Sequence, residues 1–270
     1  MNEPDKTPTL DTIRLRRYVT FSRFRETLEK GLFIPKASLF KDRWEAMVSF
    51  MHDHLKEQNL NVLIGTQDPT PDGLDIRATH RRICEGKKEV YVSCWNGTPH
   101  ECVAMWKLYG RKKAGVLLET DAKELTEAFH QWPENKDLLA CLTRLRYVLP
   151  GDTSYDKVFG GEEPLWDSGF HGEFSTHFCF HCTYTGLHYK HISYSFEKEY
   201  RLLVAHKARG ERQNSGITLP VTKSFIKRVM LQPDSSRRLE QMVRHCLRKS
   251  HLDDVVVEKS LLDELPPLEE

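Results

Sequence analysis

The strand, helix and strand signals over residues 89–119 constrain the fold more than any other part of the sequence. Apolar residues alternate with larger or polar ones from Val90 to Trp95, which predicts a β-strand. The segment Thr98 to Glu101 has the order of a capping box with proline at the first helical position, so we expect a helix to begin there. Gly110 should end this helix before a strand over 115–118. The apolar face of the helix, spaced i, i+3, i+4 and i+7, is Cys102, Met105, Trp106 and Tyr109.

The other secondary-structure signals alternate irregularly along the chain. Ser22 is the expected cap of a first helix that ends at Gly31, and residues 151–172 resemble a long loop. Strands joined partly by helices and partly directly favour an α+β fold over a regular βαβ array. The remaining strands are predicted at 13–18, 32–34, 174–183, 194–205, 224–231 and 255–257, and the remaining helices at 44–55, 121–145 with a break at Pro133, and 236–249.

Composition limits the kinds of protein that this chain can be. Its 270 residues fit one domain, which we expect over residues 13–262, with a disordered tail at 1–12 and a flexible tail at 263–270. Forty basic and thirty-nine acidic residues give a net charge of +1, too small for a global field that gathers nucleic acid. The first residues lack the apolar core of a signal peptide, and no apolar run is long enough to cross a bilayer. We therefore expect a cytoplasmic protein with no membrane partner.

Seven scattered cysteines predict reduced thiols, because a chain of this size folds without disulfides. Cys179 and Cys182 form a C-x-x-C among several histidines, so a zinc site has to be considered. If 174–183 is a strand, however, the two cysteines point to opposite faces, and His177 and His181 stand ~13 Å apart. That separation is too large for one tetrahedral ion, so no metal is expected.

The charged residues of 196–205 are the most informative polar group in the sequence. On a strand, Glu197, Glu199 and Arg201 share one face, and two carboxylates ~6.5 Å apart can be held towards one ligand. The alternative is a solvated strand face with an ion pair between Glu199 and Arg201, which would stabilise the fold only slightly.

The first strand contains the arginines Arg14, Arg16 and Arg17, and an arginine fork can bind a pyrophosphate bidentately. The alternative is edge-strand charge that deters aggregation. Similarly, Trp106 and Tyr109 are either an aromatic wall for a ligand ring or ordinary core residues at helical spacing.

Several short segments, taken in order from about Ile13 to Leu261, resemble a widespread and largely uncharacterised bacterial domain family of unknown function. The segments are Arg17-Tyr18, Gly31-Leu32-Phe33, Lys41-Asp42-x-x-Glu45, Val92-Ser93-Cys94-Trp95, Met105-Trp106-Lys107-Leu108-Tyr109, Gly115-Val116, and Lys190 followed by Phe196-Glu197-x-Glu199-Tyr200-Arg201. The order of a basic strand, a strand ending in serine and a late Glu-x-Glu strand is also similar to the Arg-Ser-Glu class of ADP-ribosyltransferases.

The resemblance implies an ADP-ribosyltransferase-like split β-sheet with flanking helices, and NAD as the substrate. Glu199 would be the catalytic glutamate, Glu197 the glutamate on the acceptor side, and Ser93 the motif serine. Arg17 would be the motif arginine, with Arg16 or Arg14 as its alternatives. The full set of implied NAD-binding residues is Arg17, Arg16, Tyr18, Trp106 and Tyr109.

The function implied is mono-ADP-ribosylation of a protein or nucleic acid by a toxin or phage-defence effector, with a cognate antitoxin or regulator as a further partner. A fixed carboxylate suits this chemistry, because positive charge develops on the ribose as the nicotinamide bond breaks. One rival hypothesis is a metal-dependent nuclease that uses Asp42, Glu45, Glu197 and Glu199 with Lys190. The other is a non-catalytic interaction module.

Overall fold

The computed structural model describes residues 9–40, 86–110, 113–148, 165–168, 187–207 and 213–263, which form a mixed α/β structure with mostly antiparallel strands. The strands are β1 (Arg14–Thr20), β2 (Leu32–Pro35), β3 (Val90–Asn96), β4 (Gly115–Asp121), β5 (Leu138–Arg144), β6 (Arg146–Val148), β7 (Trp166–Asp167), β8 (Tyr189–His191), β9 (Glu199–His206), β10 (Gly216–Leu219), β11 (Arg228–Leu231) and β12 (Val256–Glu258). The α-helices are α1 (Phe21–Lys30), α2 (Val103–Tyr109), α3 (Ala122–Gln131) and α4 (Arg237–Lys249), with 3-10 turns at Ala37–Leu39, Pro133–Asp137, Ile192–Glu197 and Leu261–Asp263.

The chain divides into two compact units. The first comprises Met1–Phe33, Trp95–Pro133 and Thr218–Glu270, and the second comprises Ile34–Cys94 and Glu134–Ile217. The single domain predicted over residues 13–262, with its two tails, stays a prediction. None of the described helices is long and apolar enough to cross a membrane.

In the first unit, β4 is the central strand. β1 lies antiparallel to it, with Arg16 opposite Glu119, and β11 lies antiparallel on its other side. β12 then pairs parallel with β11. The core of this unit includes Tyr18, Met105, Trp106, Leu117 and Met230.

In the second unit, β9 is an interior strand between β3 and β5, and β7 follows β5. β5 and β9 are antiparallel, with Leu138 opposite His206 and Arg144 opposite Tyr200. The buried apolar cluster of this unit is Ala37, Val90, Val92, Cys141, Leu187, Leu203 and Ala205.

The start of α1 shows a small error in the sequence prediction. Its end at Gly31 is confirmed, since Gly31 has φ +104°. The predicted cap at Ser22 is wrong, because β1 runs directly into the helix and its last residue, Thr20, caps it. The Thr20 hydroxyl accepts a hydrogen bond from the Arg23 backbone N–H at 3.4 Å.

The capping box predicted at Thr98 to Glu101 is wrong, since α2 begins only at Val103. The Glu101 carboxylate is used elsewhere in the first unit. It accepts hydrogen bonds from Trp106 Nε1 at 2.9 Å and from the Ser260 hydroxyl at 2.6 Å. A contact with a residue 159 positions away therefore replaces the local cap.

The helix predicted over 121–145 is correct only to Gln131, and its break at Pro133 is confirmed. Residues 138–144 form β5 instead. The pattern of apolar residues around Leu142 is compatible with either a helix or a buried strand, and hydrogen bonding to β9 selects the strand. The strand predicted at 224–231 begins only at Arg228, and β10 was not predicted.

Several sequence predictions fall outside the described residues. They concern the helix at 44–55 with Asp42 and Glu45 beside it, most of the loop at 151–172, and the strand at 174–183 with Cys179 and Cys182.

Candidate functional site: a buried cluster of opposite charges

Glu197 and Glu199 lie in different elements, so their predicted placement on one strand is wrong. Glu197 is the last residue of the 3-10 turn, and β9 begins only at Glu199. Lys198 between them has a left-handed backbone with φ +42°, which turns the chain sharply between the two glutamates. Both side chains nevertheless reach Lys190, on β8.

Lys190 forms a bridge between the two carboxylates. Its Nζ donates to Glu197 Oε2 at 2.6 Å and to Glu199 Oε2 at 3.2 Å. All three side chains are buried, and the ammonium also lies 4.7 Å from the centre of the Tyr194 ring. An ammonium in this position compensates two negative charges that burial would otherwise make costly.

Arg201 holds the other side of the Glu199 carboxylate. Its Nε donates to Glu199 Oε1 at 2.8 Å, and one terminal nitrogen donates to the Leu187 carbonyl at 2.9 Å. Arg201 is fully buried because β9 is an interior strand of its unit. The alternative prediction of a solvated face with a weak surface ion pair is therefore wrong.

The backbone of Glu199 is fixed as firmly as its side chain. Its N–H donates to the Tyr147 hydroxyl at 2.8 Å, and its carbonyl accepts from the Leu145 N–H at 2.8 Å. The Cys94 thiol donates to the Glu199 carboxylate. A carboxylate held in this way loses little conformational entropy when it meets a substrate.

The two glutamates titrate in opposite directions. Burial raises the pKa of Glu197 to about 7, and the neighbouring Glu199 charge adds to this, although Lys190 opposes it. Burial also acts to raise the pKa of Glu199, but the charges of Arg201 and Lys190 outweigh it and hold that pKa well below its usual range. The cluster thus keeps Glu199 ionised and brings the pKa of Glu197 close to neutral pH. Two carboxyl groups with such different pKa values can divide the acid and base roles of a reaction.

Ser93 and Cys94 are neighbours on β3, and neighbouring strand residues face opposite sides of a sheet. Cys94 packs against the apolar cluster and hydrogen-bonds Glu199. Ser93 is fully buried on the other face, the one that carries Tyr91. The role predicted for Ser93 stays a prediction, and the β3 side chain on the Glu199 face is that of Cys94.

The three candidate arginines of β1 have different surroundings within the first unit. Arg16 is buried, with Nε 2.8 Å from Glu119 Oε2 and a terminal nitrogen bonded to the Thr98 carbonyl. Arg14 is half-exposed and lies 3.4 Å from Asp121. The guanidinium of Arg17 lies 5.7 Å from the centre of the Trp95 ring.

The three aromatic candidates for the NAD site are also in the first unit. Tyr18 and Trp106 are buried and meet edge to face with their ring centres 4.8 Å apart. The Tyr18 hydroxyl accepts from the Cys102 backbone N–H at 2.9 Å, and burial raises the Tyr18 pKa to about 12. Tyr109 is exposed. These contacts give Tyr18 and Trp106 a core role, and NAD binding by the three residues stays a prediction.

The first unit contains a second buried glutamate held by two cations. Glu119 Oε2 lies 2.8 Å from Arg16 Nε and 2.7 Å from a terminal nitrogen of Arg228. Burial opposes ionisation of Glu119, but the two guanidinium groups outweigh it and lower the pKa. Glu119 therefore matches Glu199 in burial and charge.

The charge cluster does not suit a divalent metal. Two carboxylates can share a metal ion, but here the Lys190 ammonium already occupies the position between Glu197 and Glu199. Among the described residues, no group of three or more histidine, cysteine, aspartate or glutamate side chains could hold a metal ion.

Cys94 and Tyr147 were not predicted as site residues, and Lys190 was given a role only in the nuclease hypothesis. Cys94 follows Ser93 in a segment that was already quoted for the family resemblance, so there was a reason in the sequence to consider it as a site residue. There was no such reason for Tyr147, because it contacts Glu199 from 52 residues away.

No protein-family model and no curated protein matches the chain, so the resemblance to the bacterial domain family stays a prediction. Solved structures similar to the chain include DarT from Thermus sp. 2.9 in complex with NAD+, with a TM-score of 0.38 and 8% identity over 96% of this chain and 100% of that chain. The same protein in complex with ADP-ribosylated ssDNA gives a TM-score of 0.37 and 9% identity over 96% of this chain and 98% of that one. TM-scores this low do not establish a shared fold.

Proposed function

We propose that the chain transfers ADP-ribose from NAD to an acceptor and that Glu199 is the catalytic carboxylate. The observation that carries this proposal is the position of Glu199, a buried carboxylate held by Arg201 at 2.8 Å and by Lys190 at 3.2 Å. These cations keep it ionised, and an ionised carboxylate fixed in a site of low dielectric stabilises positive charge more strongly than one in water.

In the proposed reaction, most of the positive charge of the transition state develops on the ribose. As the bond from C1′ to the nicotinamide nitrogen breaks, its electron pair leaves with nicotinamide, and positive charge develops on the sugar. Glu199 would stabilise that charge and accept a hydrogen bond from the 2′-hydroxyl. Glu197 would face the acceptor, since the turn that ends at Glu197 lies at the surface, where Ile192 and Phe196 are exposed. A role for Ser93 in bracing the glutamate or the nicotinamide pocket rests on the resemblance alone, because Ser93 and Cys94 face opposite sides of β3.

Arg17 is the proposed ligand of the NAD pyrophosphate. Arg16 already donates to Glu119 and Thr98, and releasing it would leave the Glu119 carboxylate short of a partner in a buried site. Arg14 lies at the end of β1 with half of its side chain in solvent. Tyr18, Trp106 and Tyr109 remain proposed NAD contacts on the resemblance alone.

The resemblance is also the sole basis for the biological role. It implies a toxin or phage-defence effector with a protein or nucleic acid as acceptor, and a cognate antitoxin or regulator. The nuclease hypothesis is weaker than transfer from NAD, because a metal would have to displace Lys190 from between the two carboxylates.

The test is nicotinamide release and transfer of labelled ADP-ribose by the wild type and by Glu199→Gln. The amide keeps the shape of the side chain but removes its charge, so we expect a loss of at least ~10²-fold. Proteins and nucleic acids should be offered as separate acceptors, and release without an acceptor measures hydrolysis.

Glu119→Gln is the matched control, because Glu119 is also buried and is also held by two cations. Both variants should lose stability, whereas only Glu199→Gln should lose activity at a temperature where both are folded. Equal activity in wild type and Glu199→Gln, or a wild type that neither binds nor cleaves NAD, contradicts the proposal.

A further inference from the structure

We propose that Lys190 is a positioning residue that joins Glu197 and Glu199 into one unit, in which Glu199 stays ionised while Glu197 receives the proton that the acceptor releases. This inference rests on the proposed function and adds to it a residue and a route for the proton.

The geometry of Lys190 is that of a shared donor. Its Nζ is 2.6 Å from Glu197 Oε2 and 3.2 Å from Glu199 Oε2, so one ammonium bonds both carboxylates. A lysine suits this place better than an arginine, because its charge is compact and its three protons can point in different directions. The Tyr194 ring, 4.7 Å away, limits the positions open to the ammonium.

The carboxylates differ in what else surrounds them. Glu199 has a second cation, Arg201, and a thiol donor, Cys94. Among the described residues, the charged and titratable groups around Glu197 include Lys190 on β8, Glu199 on β9 and the Tyr147 hydroxyl on β6. Lys190 is a cation in direct contact with Glu197, and the negative charge of Glu199 favours a proton on Glu197.

The proposed step balances atoms and charge. The acceptor oxygen or nitrogen forms a bond to C1′, and the bond from C1′ to nicotinamide breaks with its electron pair going to neutral nicotinamide. The acceptor proton moves to Glu197, which becomes a neutral acid, and it leaves to water after the products depart. Lys190 stays protonated throughout.

Activity should therefore rise with pH as Glu197 loses its proton, with a midpoint near the pKa of about 7. Lys190 favours the ionised form of Glu197, so its removal must move the midpoint to higher pH. We expect Lys190→Met to move it upward by at least about one unit, which is a loss of at least roughly fivefold at pH 7 and close to tenfold well below the midpoint, and alkaline pH should largely restore the activity.

The experiment is the pH profile of NAD hydrolysis by the wild type, Lys190→Met and Lys190→Arg. Lys190→Arg keeps the charge and alters its shape, so it should keep the midpoint and lower kcat, and it covers the case in which Lys190→Met does not fold. Lys227→Met is the matched control, because Lys227 Nζ lies 2.6 Å from Glu124 Oε1 in the first unit. It should leave the midpoint unchanged.

A second readout does not depend on activity. In a chain labelled with ¹³C at glutamate carboxyl carbons, the Glu197 signal is the one that Glu197→Gln removes, and NMR follows its titration. A midpoint that moves upward in Lys190→Met supports the inference, and one that is the same in both proteins overturns it. An upward shift in a wild type that does not cleave NAD refutes the proposed reaction but retains the coupling of the two carboxylates. A Lys190→Met that loses activity equally at every pH also overturns the inference.

Discussion

Replacing Arg201 by methionine should be among the most destabilising single changes in the second unit. Arg201 is fully buried and donates to Glu199 Oε1 at 2.8 Å and to the Leu187 carbonyl at 2.9 Å. Methionine keeps most of the aliphatic stem, so little packing is lost. It leaves the Glu199 carboxylate with one cation fewer and the Leu187 carbonyl without this donor. Breaking a buried ion pair from one side typically costs about 3–5 kcal/mol.

The free energy of unfolding can be measured by urea denaturation followed by circular dichroism. At a slope of roughly 3 kcal/mol per M, the expected loss lowers the urea midpoint by roughly 1–1.7 M. In a Glu199→Gln background the same substitution should cost about 2 kcal/mol less, because no carboxylate is left uncompensated. Arg14→Met is the control, since Arg14 is half-exposed and 3.4 Å from its partner, and it should cost less than about 1 kcal/mol.

An Arg201→Met variant whose free energy of unfolding lies within about 1 kcal/mol of wild type would contradict this prediction. An equal cost of the substitution in both backgrounds would also contradict it, because the stability would then come from packing and not from the ion pair.

Three further predictions concern stability. Gly31→Ala should cost about 1–3 kcal/mol, because Gly31 has φ +104° and a Cβ there would lie 2.6 Å from the Leu219 carbonyl oxygen; a thermal melt unchanged from wild type would contradict this. Thr20→Ala should cost about 1 kcal/mol in urea denaturation and Ser22→Ala much less, since Thr20 caps α1, and equal costs would restore Ser22 as the cap. The folded chain binds a proton at Glu197 more tightly than the unfolded chain does. The stability of the wild type relative to Glu197→Gln should therefore fall as pH rises from about 4.5 to about 7. Urea midpoints of the two proteins that differ by the same amount across this range would refute this prediction.

The elements predicted correctly are those whose signals are local. β3 follows from residue alternation and α4 from its amphipathic periodicity, and β1 and β2 lie close to their predicted positions. Gly31 and Gly110 end their helices as predicted, because each ending depends on the backbone of one residue.

Two of the errors concern segments in which a distant partner outweighs a local preference. Residues 138–144 carry a pattern that suits helix and buried strand alike, and hydrogen bonds to β9 select the strand. The Glu101 carboxylate, which the local pattern assigns to a helix cap, instead bonds Ser260 from far along the chain.

The sequence by itself determined that Glu199 and Arg201 share a strand face, because alternation along a strand requires it. It could not determine that this face is buried, which depends on β9 lying between β3 and β5. Only the tertiary structure placed the Lys190 ammonium between two glutamates and the Cys94 thiol against one of them. The physical reason is that side-chain charges take their partners from space, and the spacing of residues along a chain does not specify which distant elements will meet.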